Sequence, residues 1–258
     1  MGARPPGLLD SLRSRRAVRR WRQAAAGADG MDAADLAQLA PRARAVADHA
    51  GQILRAAERR LGGAAGHPVE RPPQSDWAWR PAPWAEALDR PAAAGIDPGH
   101  VVAPGTVLFH DCPLREITLR QTRATRAEAP APWMLEVDTL GFEGGFLSLA
   151  LDLPEEARHG FRPSQIVALT VRLWQEHPAR LSARLNLRHG PNTEQLAAEL
   201  DPPGRPRDPR RAEFDLGMLE FNPARLEAAW IDLILDRPAM NLVRFEDVTL
   251  SRRHRADL

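Results

Sequence analysis

Gln165-Ile-Val-Ala-Leu-Thr-Val-Arg-Leu-Trp-Gln-Glu-His-Pro-Ala-Arg-Leu-Ser-Ala-Arg-Leu-Asn-Leu-Arg-His189 alternates apolar and polar residues twice over. Val167, Leu169, Val171 and Leu173 alternate with Ala168, Thr170, Arg172 and Trp174. After a break, Leu181, Ala183, Leu185 and Leu187 alternate with Ser182, Arg184, Asn186 and Arg188. A period of two sustained this long marks a strand with one dry face. Pairing 173 with 181, 171 with 183 and 169 with 185 sets both apolar rows on one side, whereas a one-residue slip buries the arginines. The expectation is an antiparallel hairpin that turns at Glu176-His177-Pro178.

Strand patterns continue on both sides of this segment: Thr106–His110, Glu116–Thr122, Met134–Thr139, Gly145–Leu153, Ala212–Leu216, Ala229–Leu235 and Leu242–Leu250. In the last of these, Val243 and Phe245 share a face with Val248 and Leu250 only if Glu246-Asp247 bulges. Gly190-Pro191 ends one strand, and Asn192-Thr-Glu-Gln195 reads as a capping box opening a short helix to Leu200. Pro202 to Pro209 reads as a loose, mobile loop. Many short strands with irregular connections predict a mainly β fold, an antiparallel β-sandwich of jelly-roll type over 100–258, with a barrel as the alternative.

Two helices precede it. Over 32–61, Leu36, Leu39, Ala43, Val46, Ala50, Ile53, Ala57 and Leu61 recur at helical spacing, with Asp32 or Asp35 as cap and Gly62-Gly63 as stop. Over 7–24, Leu8, Leu9, Leu12 and Trp21 lie among Arg13, Arg15, Arg16, Arg19, Arg20 and Arg22. Residues 1–62 are therefore expected to form a helical hairpin turning at Gly27–Gly30. Residues 63–99 are expected to form a Pro/Trp-rich strap or linker holding Trp77, Trp79 and Trp84. The eleven prolines between His67 and Pro132 forbid long helices there.

Composition excludes several chemistries. The 35 basic residues are all arginine, so Schiff-base, P-loop and general-base lysines are absent. The single cysteine, Cys112, cannot form an internal disulfide, which suits a reducing, cytoplasmic compartment. No run is long and apolar enough for a membrane span, and no signal peptide is expected. Residues 1–61 hold 12 arginines against 6 acids, which points the N-terminal part toward an anionic partner.

Each candidate constellation has a plainer counterpart. His189-Gly-Pro-Asn-Thr-Glu-Gln195 either presents His189, Asn192 and Glu194 to a ligand or is a strand-to-helix turn. Trp174, beside Arg172 and opposite Arg180, either stacks on a sugar or forms a cation–π pair under the strap or the N-terminal helices. Trp77, Trp79 and Trp84 either stack on a ligand or plug a groove of their own domain. Asp152, Asp215, Asp232, Glu246 and Asp247 allow a glycosidase couple, but Glu213-Phe-Asp215 lacks the further Glu that an acidic jelly-roll glucanase signature needs. His110-Asp111-Cys112 offers metal-ligand types without partners, so no metal and no other cofactor is expected. Gly-x-Ser-x-Gly elbows, phosphate loops, dinucleotide fingerprints and nucleic-acid recognition motifs are all missing.

The segments Asp76-Trp-Ala-Trp-Arg-Pro, Leu108-Phe-His-Asp-Cys-Pro-Leu114, Ala183-Arg-Leu-Asn-Leu-Arg-His-Gly-Pro-Asn-Thr-Glu-Gln195, Arg237-Pro-Ala-Met-Asn241 and Thr249-Leu-Ser-Arg-Arg253 resemble a mostly rhodobacterial family known only as a domain of unknown function. That resemblance covers nearly the whole chain and implies no catalytic residues. The strand pattern and the closing Phe245-Glu-Asp-Val-Thr-Leu250 are more distantly similar to carbohydrate-binding jelly rolls.

The reading that follows is a non-catalytic binding module rather than an enzyme. Its expected ligand is a saccharide or glycan precursor on a polar face carrying Arg172, Trp174, Arg184 and Asn186, edged by His189 and Asn192. Two alternatives stay open. One is a structural or protein-interaction protein peripheral to the membrane, with residues 8–22 on an anionic surface; the other is a glycoside hydrolase-like enzyme using strand carboxylates. No specific nucleic-acid partner is expected.

Overall fold

The computed structural model describes residues 8–57, 67–126, 128–200 and 208–255, with side chains from residue 15 onward except 52, 55 and 56. The chain divides near residue 56 into two compact units. The first holds α1 (Leu8–Gly27), a 3-10 turn (Ala28–Gly30) and α2 (Ala33–Ala57). Asp32 caps α2 by accepting the Asp35 N–H at 2.8 Å, which satisfies one of the orphan donors of its first turn. None of the described side chains in this unit is buried. The expected stop at Gly62-Gly63 and the loop 202–207 lie outside the described residues. Among the described residues, no helix is long and apolar enough to cross a membrane.

The second unit is built from thirteen strands among its described residues: β1 (Ser75–Trp79), β2 (Ala92–Ala94), β3 (His100–Ala103), β4 (Thr106–His110), β5 (Ile117–Arg123), β6 (Trp133–Thr139), β7 (Phe146–Asp152), β8 (Gln165–Gln175), β9 (Leu181–His189), β10 (Asn192–Glu199), β11 (Arg210–Asp215), β12 (Leu226–Asp236) and β13 (Asn241–His254). The first sheet runs β11-β8-β13-β6-β5-β2 and the second β10-β9-β12-β7-β4-β3, with every pairing antiparallel. From β6 onward the chain crosses between the sheets at almost every connection, as in a jelly roll. The inward rows of both sheets merge into one core that includes Leu149, Val167, Leu185, Phe214, Ile231 and Phe245. Burying each such side chain contributes roughly 1.5–3 kcal/mol. The mainly β, antiparallel sandwich is the fold that the alternation predicts.

The expected hairpin between β8 and β9 is not formed. β8 pairs with β11 and β13, whereas β9 pairs with β10 and β12, so the two strands belong to different sheets. Their apolar rows face each other across the core instead of lying side by side. Alternation reports which side of a strand is dry; it does not report which strand lies beside it. The link between them is held away from hairpin geometry. Glu176 N–H donates to the Leu242 carbonyl at 3.0 Å, and Asn241 bonds both the N–H and the carbonyl of His177.

The expected helix at Asn192–Leu200 is instead β10. It pairs with β9 from Asn192↔His189 to Glu199↔Ser182, leaving a two-residue Gly190-Pro191 loop. Gly190 has φ +59°, the positive value required at the first loop position of a type II′ hairpin. Glu194, Leu196 and Ala198 are the less exposed residues of this strand, so period two overrides the local capping pattern.

The bulge in β13 is present: its register against β8 shifts between Phe245 and Asp247, and Val243, Phe245, Val248 and Leu250 are all buried. Within the strap, β1 pairs with the C-terminal half of β13 and β2 pairs with β5. Between them a short helix, α3 (Ala82–Ala85), delivers Trp84 into the core. Its indole N–H donates to the Phe245 carbonyl at 3.0 Å, and its ring meets Phe245 edge-on. Trp77 and Trp79 stack with centroids 6.3 Å apart and pack against the core from β1. These three aromatics therefore serve packing.

Candidate functional site

Alternation in the second sheet turns Ser182, Arg184 and Asn186 of β9 outward, together with Trp230, Asp232 and Ile234 of β12, Ser148, Ala150 and Asp152 of β7, and Val107 and Phe109 of β4. The register stacks these into rows. Arg184, Asp232, Ala150 and Val107 form one; Asn186, Trp230 and Asp152 form the next; Ser182, Ile234, Ser148 and Phe109 lie on the other side.

A hydrogen-bonded chain fixes the polar part of this face. Arg184 donates to Asp232 Oδ2 through Nε (3.1 Å) and Nη2 (2.9 Å), and Asn186 Nδ2 donates to the same oxygen at 3.0 Å. Gln195 of β10 then donates to Asn186 Oδ1 at 2.8 Å. Asn186 and Asp232 are buried; Asn186 is held in one rotamer by partners on β12 and β10, and Asp232 by two partners on β9. Ser148 Oγ is buried with no hydrogen-bond partner among the described residues, an arrangement that normally costs about 1–3 kcal/mol.

Two depressions open on this face. One of about 410 Å³ is lined by Phe109, Phe146, Ser148, Arg184, Asp232 and Ile234. The other, of about 550 Å³, adds Val107, Asp152, Arg188, Glu227 and Trp230, and Phe109 borders both. The surface thus offers exposed ring and aliphatic faces beside fixed donors and acceptors.

The six residues expected to share one polar face fall into three places. Arg184 and Asn186 stand together here. Arg172 and Trp174 of β8 occupy the outer face of the first sheet, on the opposite side of the sandwich, because β8 and β9 are not sheet neighbours. His189 and Asn192 close the β9–β10 loop, where His189 follows the inward phase of Leu185 and Leu187 and approaches Glu194 at 4.0 Å. The six therefore do not share one face: only Arg184 and Asn186 stand together, and of these Asn186 is fully buried. Trp174 lies under Arg244, whose guanidinium carbon is 5.6 Å from the ring centroid, so the expected cation–π pair exists with a different arginine.

Phe109, Phe146, Ser148, Trp230 and Gln195 are the members of this face that sequence reasoning passed over. Trp230 and Asp232 were visible in principle, since they alternate with Ala229, Ile231 and Leu233 as Trp174 does with Leu173. Asp215 and Asp232 lie in different sheets and cannot act as one carboxylate couple. The carboxyl of Asp215 accepts the Gly217 N–H and pairs with Arg255, and these bonds hold it below its ordinary range against a smaller upward push from burial.

Among the described residues, no group of three or more His, Cys, Asp or Glu side chains converges as a metal site. The run His110-Asp111-Cys112 diverges. The Nε2–H of His110 donates to the Ile96 carbonyl, Asp111 accepts the Gly145 and Phe146 N–H groups, and Cys112 Sγ accepts the Glu143 N–H.

A family model described as a family of unknown function matches residues 1–258. The sequence matches no curated protein. Among solved structures, the enzymatically active domain of tailspike protein 4 from bacteriophage CBA120 aligns with 60% of this chain at 8% identity and TM-score 0.38; the match spans 21% of the tailspike chain. A cyclase from Fischerella sp. TAU aligns with 70% of this chain and 100% of its own, at 16% identity and TM-score 0.42. A family 11 carbohydrate-binding module from Clostridium thermocellum, in complex with a mixed-linked tetrasaccharide, aligns with 60% of this chain and 92% of its own, at 8% identity and TM-score 0.35.

Proposed function

The chain belongs to this family of unknown function, DUF6478, over residues 1–258, and from its own residues we propose that it is a non-catalytic module binding a saccharide on the outer face of the second sheet. The observation that carries the reading is the Arg184–Asp232–Asn186–Gln195 chain set beside Phe109, Phe146 and Trp230 on a rigid sheet. A sugar ring has an apolar face that stacks on an aromatic and a rim of hydroxyls that both donate and accept. The preorganised guanidinium of Arg184 and carboxylate of Asp232 meet that rim without loss of rotamer freedom, while the fully buried Asn186 holds Asp232 in position from behind. Ser148 Oγ, buried and unpartnered in the floor, supplies one further group for a ligand hydroxyl. A cytoplasmic setting would narrow the ligand to glycan intermediates or glycosylated partners.

A glycan array probed with the full chain, with Trp230→Ala and with Phe109→Ala tests this. Binding by the wild type that falls tenfold or more in both variants is expected. Absence of any glycan binding by the folded wild type, or equal binding by all three, removes the reading.

A second reading, an anionic surface as partner of the N-terminal helices, draws on one observation. Arg15, Arg16, Arg19 and Arg20 of α1 are all exposed, as are Val18, Leu36, Val46, Ile53 and Leu54 of α1 and α2. The side chains of Leu8, Leu9 and Leu12 lie outside the described ones. Basic helices with exposed apolar residues dock on anionic lipid by charge attraction and shallow insertion. Co-sedimentation with anionic vesicles that survives deletion of residues 1–24 would exclude it.

A further inference from the structure

On the opposite side of the sandwich, a pocket of about 340 Å³ lies between the proline-rich segment 68–73 and the outer face of the first sheet. Pro68, Pro72, Pro73 and Pro130 form its apolar wall. Its floor is a polar patch of the sheet, where Thr170 pairs with Thr249 and with Arg211, and Arg172 pairs with Asp247.

The charges in this pocket do not cancel locally. Asp247 is the acid in register with Arg172, yet it is already engaged. Arg80, buried like Asp247 itself, holds it with Nε on Oδ1 at 2.8 Å and Nη2 on Oδ2 at 3.1 Å. Two further Arg80 donors go to the His67 and Pro130 carbonyls at 2.8 and 2.7 Å, so four of its five N–H groups are engaged and it serves as the fixed back wall. Glu70 also lines the pocket and is exposed to solvent, as is Arg211, whereas Arg172 is half-buried; the lining therefore holds three arginines against two acids. Among the described residues, neither Arg172 nor Arg211 meets a carboxylate. Two guanidiniums therefore project, with two threonine hydroxyls, into a half-enclosed space whose own acid has been taken.

We propose that this pocket binds a phosphate group, as inorganic phosphate or as the head of a phosphomonoester, with Arg172 and Arg211 as its charged ligands and Thr170 and Thr249 as hydroxyl donors. Arginine forks match the tetrahedral oxygens of phosphate bidentately, and the walls around them reduce screening by water. The stiff proline rim limits the entropy lost on binding, since little of the wall has to be ordered. The volume exceeds what a bare ion needs, which leaves room for the first atoms of an esterified group.

The test is calorimetric titration of the full chain with inorganic phosphate and with glycerol phosphate at constant ionic strength, plus sedimentation with vesicles containing phosphatidic acid. Saturable binding is expected, weakened at least tenfold in Arg172→Gln/Arg211→Gln and unchanged in Arg115→Gln, a surface arginine paired with Asp97 away from the pocket. Binding of the soluble phosphates identifies a free ligand as the source. Sedimentation with vesicles alone, lost in the double variant, identifies a lipid head group. No saturable binding in any arm, or binding that the double variant retains, overturns the proposal. Unfolding midpoints equal to wild type establish that the variants fold. Neutral-glycan binding on the other sheet is expected to be indifferent to these substitutions, so the two sites fail or stand separately.

Discussion

Arg244 caps Trp174: the guanidinium carbon lies 5.6 Å from the indole centroid, while its Nε reaches Glu136 Oε1 at 2.6 Å. Arg120 closes on the other Glu136 oxygen, so a row Trp174–Arg244–Glu136–Arg120 runs across β8, β13, β6 and β5. An aromatic that looks available on an alternating strand is thereby committed to its own sheet.

Trp174→Ala is expected to cost only about 0.5–1 kcal/mol, the worth of an exposed cation–π contact, and to leave saccharide binding at wild-type strength. Urea unfolding and the glycan array measure the two effects. A loss of binding in this variant would return the site to the first sheet.

Ser148→Ala separates ligand chemistry from stability. Removing a buried hydroxyl that has no partner should leave the unfolding free energy unchanged or slightly raised. If that hydroxyl meets a ligand, affinity falls severalfold in the same variant. Calorimetry on the best array hit gives the answer, and an unchanged affinity would show that the floor of the smaller depression is not contacted.

The buried Arg80–Asp247 pair predicts a strongly non-additive cycle. Asp247→Leu strands a buried guanidinium and should cost about 3–5 kcal/mol, and Arg80→Met strands a buried carboxylate at similar expense. The double variant should be less destabilised than the sum of the two, by 1 kcal/mol or more. Additive losses in denaturant titrations would mean that the pair is not coupled.

Glu136 sets a pH dependence whose sign is fixed. Burial pushes its carboxyl up, but the hydrogen bonds from Arg120 and Arg244 outweigh burial and hold it below its ordinary 4.5. A carboxyl depressed in the fold contributes stability that is complete above its unfolded value and is lost as pH falls through the folded one. Wild type should therefore exceed Glu136→Gln by a constant margin above roughly pH 5, and the margin should shrink progressively below about pH 4.5. Unfolding midpoints taken between neutral and acid pH check this; a margin that widens toward acid would contradict it.

The strands were legible because period two is written plainly in Val167–Leu173, Leu181–Leu187 and Leu147–Leu151. The β13 bulge was legible for the same reason: Phe245 and Val248 are three residues apart, and both are apolar. Strand partnership was not legible. Two dry faces can lie side by side or meet across a core, and the Leu173/Leu181 pattern is the same in both cases. That ambiguity also misplaced the site, since it put Trp174 beside Arg184 instead of behind the sandwich. The β10 strand was missed because Asn192-Thr-Glu-Gln195 satisfies a helix cap locally, while the pairing with β9 that overrides it is visible only in three dimensions.

β13, last in chain order of the thirteen strands among the described residues, is also the strand through which β8, β6 and β1 are joined. Asp76 of β1 meets Arg252 of β13 across 176 positions, and Trp84 waits for the Phe245 carbonyl. During synthesis the earliest pieces of the sandwich must therefore exist for some time without the element that binds them together. Contacts this distant along the chain make folding slow and leave apolar strand edges open until late. The sandwich is expected to close in one step after β13 has emerged, and a nascent chain halted before Asn241 should remain sensitive to protease throughout.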